Sequence, residues 1–270
     1  MNSNNDEKMR DQTLDSKEEL EKMWDIKAHR FNKNQYRQNQ RLAQKVKEHL
    51  HQKRRLTNHE VLDVGGGTGV YAIPFASIAK NVTITDLSTN MLTYAKENAD
   101  KESCRNLQYV KLDWDNANPK ELKWENRFDL VFASMCPAIK SNESIEKMIA
   151  ASKNWCCVNR IIETKDHVTE KLTTILGPTN AYDPQNDRKL TQTIFNYLWE
   201  KGYEPELDYI EEKTEKSYTI DEAVGHYGKS YAGLAKAQNV DLRDVISSLG
   251  ENNHVRVLSH QKLALLSWRV

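Results

Sequence analysis

"VLDVGGGTGVYAIPFA", residues 61–76, sets four of the chain's ten glycines within five positions. Glycine reaches φ > 0 at little steric cost and, lacking Cβ, lets a ligand approach the peptide groups closely. Val61, Leu62 and Val64 precede the cluster as an apolar strand, and the stretch from Val70 to Ile78 follows with helical character. Strand, tight turn and helix, in that order, aim a helix N-terminus at whatever lies over the turn. The glycine spacing then narrows the kind of nucleotide. A dinucleotide turn reads G-x-G-x-x-G; here Gly65 and Gly67 supply the first two places, Val70 takes the third, and Gly69 comes one residue early. Asp63, at the end of the strand, would repel a pyrophosphate and favour a cation. No Lys-Ser or Lys-Thr follows the glycines, which excludes a P-loop.

Outward from this turn, short apolar runs alternate with helical stretches. The runs are 60–64, 81–87, 107–113, 128–134 and 155–162, with helices expected near 70–79, 88–99 and 142–153. Near-continuous apolar strands separated by helices indicate a parallel sheet covered on both faces. Upstream, Leu20, Met23, Trp24, Ile26 and Phe31 follow a helical pattern, with Ser16 and Glu19 as a capping box. Leu42, Val46 and Leu50 mark a second helix. After Ile162 come two helices, a strand over 204–213, short helices near 219–227 and 240–249, and an apolar final strand, 255–270, expected inside the sheet. The expected organisation is a disordered tail over 1–15, a helical lid over 16–56, and a catalytic domain over 57–270 with a helical insertion at 219–250.

Composition limits the partners. Lys plus Arg balance Asp plus Glu at 39 each, so no global field attracts nucleic acid or a membrane. No apolar stretch approaches the roughly 18–20 residues that span a bilayer, and the polar first residues lack the apolar core of a signal peptide. Cys104, Cys136, Cys156 and Cys157 show no CxxC spacing and read as buried thiols rather than a zinc site or disulfides, in a cytoplasmic, reducing setting. No metal site is expected.

"VLDVGGGTG" resembles the first motif of the class I S-adenosylmethionine (SAM)-dependent methyltransferases, a hydrophobic strand followed by (D/E)-x-G-x-G-x-G, with Asp63, Gly65, Gly67 and Gly69 in its places and Gly66 where a cysteine is common. The resemblance continues in "VTITDLSTNML": Asp86 stands where an acidic residue binds both ribose hydroxyls, Leu87 follows it, and Met91 opens the next helix. Asp113, beside Trp114, stands where an acidic residue takes the adenine amino group, and Ser134 ends the fourth strand on the same edge. What the resemblance implies is a Rossmann-like, mostly parallel sheet with an antiparallel last strand, SAM as cofactor, and S-adenosylhomocysteine as product. The edge where Asp63, Asp86, Asp113 and Ser134 gather is also the topological switch point of such a sheet.

Methyl transfer from a sulfonium is an in-line displacement that needs alignment and exclusion of water more than an acid or base, so no catalytic residue is assigned. "SMCPAI" after the fourth strand lacks the (N/D)-P-P-(Y/F) motif of enzymes that methylate nucleic-acid amino groups. Trp24, Arg30, Tyr36, Met135 and Cys136 are candidates for the acceptor pocket, and His226 is a weaker candidate for a base within a glycine-flanked, mobile-looking stretch. Three readings remain open: transfer to a small molecule, transfer to RNA or protein served by the basic run Lys53–Arg55, and SAM binding without turnover. The small-molecule reading leads. The sequence leaves the oligomeric state open.

Overall fold

The computed structural model describes residues 17–33, 37–179 and 186–270. The expected tail, the Ser16 half of the capping box and Tyr36 lie outside the described residues. The chain divides into two compact units, one running to Cys156 and including Val270, the other spanning Cys157–Arg269.

In the first unit, helices α1 (Lys17–Phe31) and α2 (Arg37–Gln52) precede the sheet. Glu18 and Glu19 in the first turn of α1, and His29 and Arg30 in its last, complement the helix dipole. The α2 residues Leu42, Val46 and Leu50 are all buried, as their four-residue spacing requires. The chain leaves α2 through Arg54, in the left-handed region at φ 57, while the amides of Lys53, Arg54 and Arg55 close on the last carbonyls of the helix. Most of the basic run is thus a helix terminus. Its third member, Arg55, is only 3% exposed and lies 3.6 Å from the ring centroid of Trp155.

Strand β1 (Glu60–Val64) pairs in parallel with β2 (Asn81–Asp86) and β4 (Phe128–Ser134), and β2 with β3 (Leu107–Lys111). Helices α3 (Ala72–Ala76), α4 (Thr89–Lys101) and α5 (Asn142–Ala151) follow β1, β2 and β4. The helix after the glycine turn is shorter than expected, but it is firmly anchored: Phe75 meets Phe132 of β4 edge-on at 5.0 Å, and Tyr71 lies 5.3 Å from the same ring. Burying one such ring contributes about 1.5–3 kcal/mol, so the turn between β1 and α3 is held at both ends.

Strand β5 (Ser152–Asp166) leads into α6 (His167–Leu176), α7 (Lys189–Glu200), β6 (Glu206–Thr219), α8 (Ile220–Ala237), α9 (Leu242–Ser247) and β7 (His254–Arg269). The seven strands hydrogen-bond in the order β3-β2-β1-β4-β5-β7-β6; β7 is internal, and it pairs with β6 antiparallel from Glu206↔Ser267 to Thr219↔His254. This is the Rossmann-like, mostly parallel sheet that the sequence implied. Two expectations change. β6 runs on to Thr219, since pairing with β7 holds a segment whose composition alone is too polar to read as strand. The stretch 220–237 is not a short helix and a mobile loop but the single helix α8, begun by a Thr219–Glu222 capping box. Glycine costs a helix about 1 kcal/mol per residue, and α8 tolerates Gly225, Gly228 and Gly233 because Ala223, Tyr227, Tyr231 and Ala235 form a buried stripe at four-residue spacing.

Candidate active site

The parallel register brings the ends of β1, β2 and β4 to one edge, with Val64 level with Thr85 and Ala133. Over that edge the chain turns through Gly65, Gly67 and Gly69 at φ 64, 56 and 82, backbone that only glycine adopts freely. Gly66 is fixed by space rather than by φ: a Cβ there would stand 2.7 Å from Asp63 Oδ2 and 2.8 Å from Ile84 Cγ2. The Gly66 amide donates to the Thr85 carbonyl, and the Gly69 amide to the Gly66 carbonyl. The loop is a rigid cradle wrapped around one carboxylate.

That carboxylate is the anomaly of the site. Asp63 is 1% exposed, and neither of its oxygens finds a side-chain or backbone partner of full hydrogen-bond geometry among the described residues. Burial, with the Asp86 charge nearby, pushes it up to about 7 against a weak opposing pull from the Ala72 amide. Asp86 accepts from the Gly67 amide at 3.0 Å and the Ser88 amide at 2.8 Å, yet burial holds it up at about 6, with Asp25 adding to the effect. Two carboxylates in a glycine cradle, one of them without a hydrogen bond of full geometry among the described residues, make a site for a ligand that carries positive charge and hydroxyl donors. SAM, with its sulfonium, its ammonium and its ribose diol, fits both demands. Asp63, Asp86 and the Gly65–Gly69 backbone would hold it.

The other expected positions take varied roles. Met91 is buried, with its sulfur 4.0 Å from the Cβ position of Gly67, and Ser88 caps α4 by accepting from the Met91 amide. Leu87 is half-buried. Asp113 caps a single turn of 3-10 helix, Trp114–Asn116, taking the Asp115 amide on one oxygen and the Asn116 side chain on the other. Trp114 is buried, and its Nε1 donates to the Ser144 carbonyl at 3.3 Å. Ser134 is half-buried at the end of β4, and Met135 after it has φ 48, a costly conformation for a side chain of its size. The Cys136 sulfur packs on Gly65, 2.5 Å from where a Cβ would stand. Burial pushes that thiol up to about 12, which favours its neutral form and a packing role.

The sequence missed how α1 reaches this edge. Phe31 brings its ring to 3.7 Å from the Cβ position of Gly67. Asp25 accepts from the Ser88 hydroxyl, at 2.5 Å, and from the Asn90 amide; Glu21 pairs with Lys111, His29 meets the Tyr94 hydroxyl at 3.0 Å, and Asn32 accepts from Asn98. Glu21, Asp25 and His29 recur every four residues, a polar stripe that was visible in the sequence and marks the face turned to α4 and the end of β3. Of the candidates on α1, Trp24 is half-buried with the Lys27 ammonium 5.2 Å from its ring, and Arg30 is exposed. In the second unit, His226 stacks on Tyr218 and meets Tyr227 edge-on, as part of an ordered helix.

Comparison with known proteins agrees with this geometry. A family model described as "Methyltransferase domain" matches residues 61–156. An uncharacterised protein of Haemophilus influenzae is 23% identical over 226 residues, 79% of this chain and 77% of that one. Among solved structures, a Bacillus halodurans C-125 protein provisionally assigned as a methyltransferase is 17% identical with TM-score 0.51, over 83% of this chain and 97% of its own. Magnesium protoporphyrin IX methyltransferase from Synechocystis PCC 6803 with bound SAM is 14% identical with TM-score 0.50, over 92% and 98%. At such identities the solved structures speak for the fold, while the family model speaks for the segment built around Asp63 and the glycines. Over residues 61–156 the chain therefore matches a methyltransferase domain, and its Rossmann-like fold is the one shared with these solved structures.

Proposed function

We propose that this SAM-dependent methyltransferase acts on a small molecule, by direct in-line transfer, in a reducing cytoplasmic setting. The observation that carries the reading is the docking of α1 across the glycine edge, with the Phe31 ring against Gly67 and the Asp25 carboxylate on the α4 N-terminus. An edge covered by a fastened helix suits a compact acceptor, whereas a polymer requires an open groove flanked by cations. The basic run that could have served RNA is reduced to Lys53 and Arg54, since Arg55 is buried against Trp155. No helix of the described residues is long and apolar enough to cross a membrane.

When bound, SAM supplies an electrophilic methyl group on a sulfonium. The protein's part is to hold and to exclude. Asp86, oriented by the Gly67 and Ser88 amides, offers its remaining lone pairs to a ribose diol. Asp63 answers the positive charge. Met135 and the neutral Cys136 form a soft wall that keeps water out. The helices over 16–56 serve as the lid and those over 219–250 as an insertion into the domain, while Trp24, Arg30 and Tyr36 stay as candidates for acceptor contacts.

Transfer from methyl-labelled SAM to total RNA, total protein and a small-metabolite extract tests the reading. Label is expected in the metabolite fraction. Label confined to RNA or protein, and lost on reversing charge at Lys53 and Arg54, would overturn it.

A further inference from the structure

A groove of about 410 Å³ opens in the second unit, between α7 and the sheet face formed by β5, β6 and β7. Its volume lies within the range of roughly 300–1,000 Å³ typical of small-molecule sites. Ile162, Leu207 and Ala264, one from each strand, give it an apolar floor, and Phe195 of α7 gives it a wall. The Phe195 ring lies nearly parallel to Trp199, 6.2 Å away at 9°, and Tyr209 stands 54% exposed at the rim. The methyl-transfer site described above uses none of these residues.

Two polar groups give the groove a chemical preference. Thr191, in the first turn of α7, is 7% exposed, and its hydroxyl is buried without a hydrogen-bond partner among the described residues. A helical threonine ordinarily turns its hydroxyl to water or to a carbonyl of the preceding turn; this one is buried without a partner among the described residues, in a residue that lines the groove. Among the described residues Arg188 is the one charged residue lining it, and its Nη2 reaches Glu163 only at 3.4 Å, the long end of hydrogen bonding. An unpartnered hydroxyl inside and a loosely paired guanidinium on the lining call for oxygen acceptors at one end of a flat hydrocarbon body.

We propose that this groove is a binding site for a small planar carboxylate, its ring system held between the Phe195 wall and the strand floor, its carboxylate on Arg188, and an oxygen within reach of the Thr191 hydroxyl. The site is built from the second unit alone and does not depend on the identity of the methyl acceptor.

Naphthalene-2-carboxylate, titrated into the full chain by calorimetry, is the probe. Saturable binding at one site is expected. Thr191→Val keeps the side-chain shape and removes only the unpartnered hydroxyl, so it should weaken the probe roughly tenfold without loss of fold. Arg188→Met should erase the preference for the acid over naphthalene-2-carboxamide. Asn196→Trp, at an exposed lining position, should plug the groove and abolish binding, with SAM affinity unchanged. Absence of saturable binding at millimolar probe, or binding undiminished by Asn196→Trp, would overturn the site. So would a dimer in sedimentation that Asn196→Trp converts to monomer, since the groove would then belong to a second copy of the chain.

Discussion

Asp63 and Asp166 are aspartates near strand ends, one in each unit, and they live in opposite conditions. Asp166 is fully employed: it takes the Thr169 amide and hydroxyl at the start of α6, and the Tyr227 hydroxyl at 2.9 Å. Asp63 is more deeply buried, and among the described residues neither of its oxygens makes a hydrogen bond of full geometry, the Ala72 amide giving only an opposing pull. Around Asp166 the neighbours are ordinary helix and strand; around Asp63 the backbone passes three times through positive φ. A cluster that serves the fold closes on itself, and a cluster that serves a ligand is left open where the ligand belongs. The polar Asp166, Tyr218, His226 and Tyr227 group looks more like an active site in composition, yet its hydrogen bonds and ring contacts read as framework.

The comparison can be broken most sharply at Gly66. Gly66→Val drives side-chain carbons into Asp63 and Ile84, so SAM binding should vanish and stability should fall by about 1–3 kcal/mol, the usual cost of overpacking; calorimetry and thermal unfolding read the two losses. Asp86→Ala should weaken SAM by roughly 1.5–3 kcal/mol, the range for hydrogen bonds to a charged group, while the protein stays folded. An unchanged dissociation constant would demote Asp86 to a loop fastener. pH supplies a graded version of the same test. Asp63 and Asp86 are raised in the fold to about 7 and about 6, so the folded state holds protons that the unfolded chain releases near pH 4. Their contribution to stability is therefore full below that pH and is lost as pH climbs through 6 and 7. SAM affinity should rise over the interval from 6 to 7, because the ligand favours the charged carboxylates, and Asp63→Asn should flatten the upper part of both curves. The smallest effect is expected in the closed cluster: Tyr227→Phe removes one bond to Asp166, should cost about 1 kcal/mol in denaturant unfolding, and should leave SAM affinity untouched.

The strand, turn and helix around the glycines were legible because their determinants are local, each residue's reason lying within a few positions of it. Asp63, the glycines and Asp86 follow from the same short-range grammar. What escaped the sequence depends on partners far along the chain. Asp25 meets Ser88 and Asn90 some 65 residues on, and nothing near Phe31 announces that its ring ends over Gly67. Ring size and helical spacing suggested Trp24 instead. Asp113 shows the converse: its place in the order of strands was readable, but its hold on the Asp115 amide and the Asn116 side chain depends on a turn that composition does not specify. In α8 the glycines misled, because their local preference was outweighed by a tyrosine and alanine stripe packed on β7 and α6.

The unsatisfied carboxylate of Asp63 has a consequence for how long each molecule survives in the cell. A ligand that binds only the folded state protects it by RT ln(1 + [L]/Kd), about 2.7 kcal/mol at a hundredfold excess over Kd. A domain that carries its own electrostatic penalty until SAM arrives has less stability in reserve, so the same increment is a larger share of its total, and copies without cofactor are the ones that unfold and meet proteases first. The abundance of the enzyme would then follow the supply of its methyl donor, with no regulator beyond the buried aspartate itself.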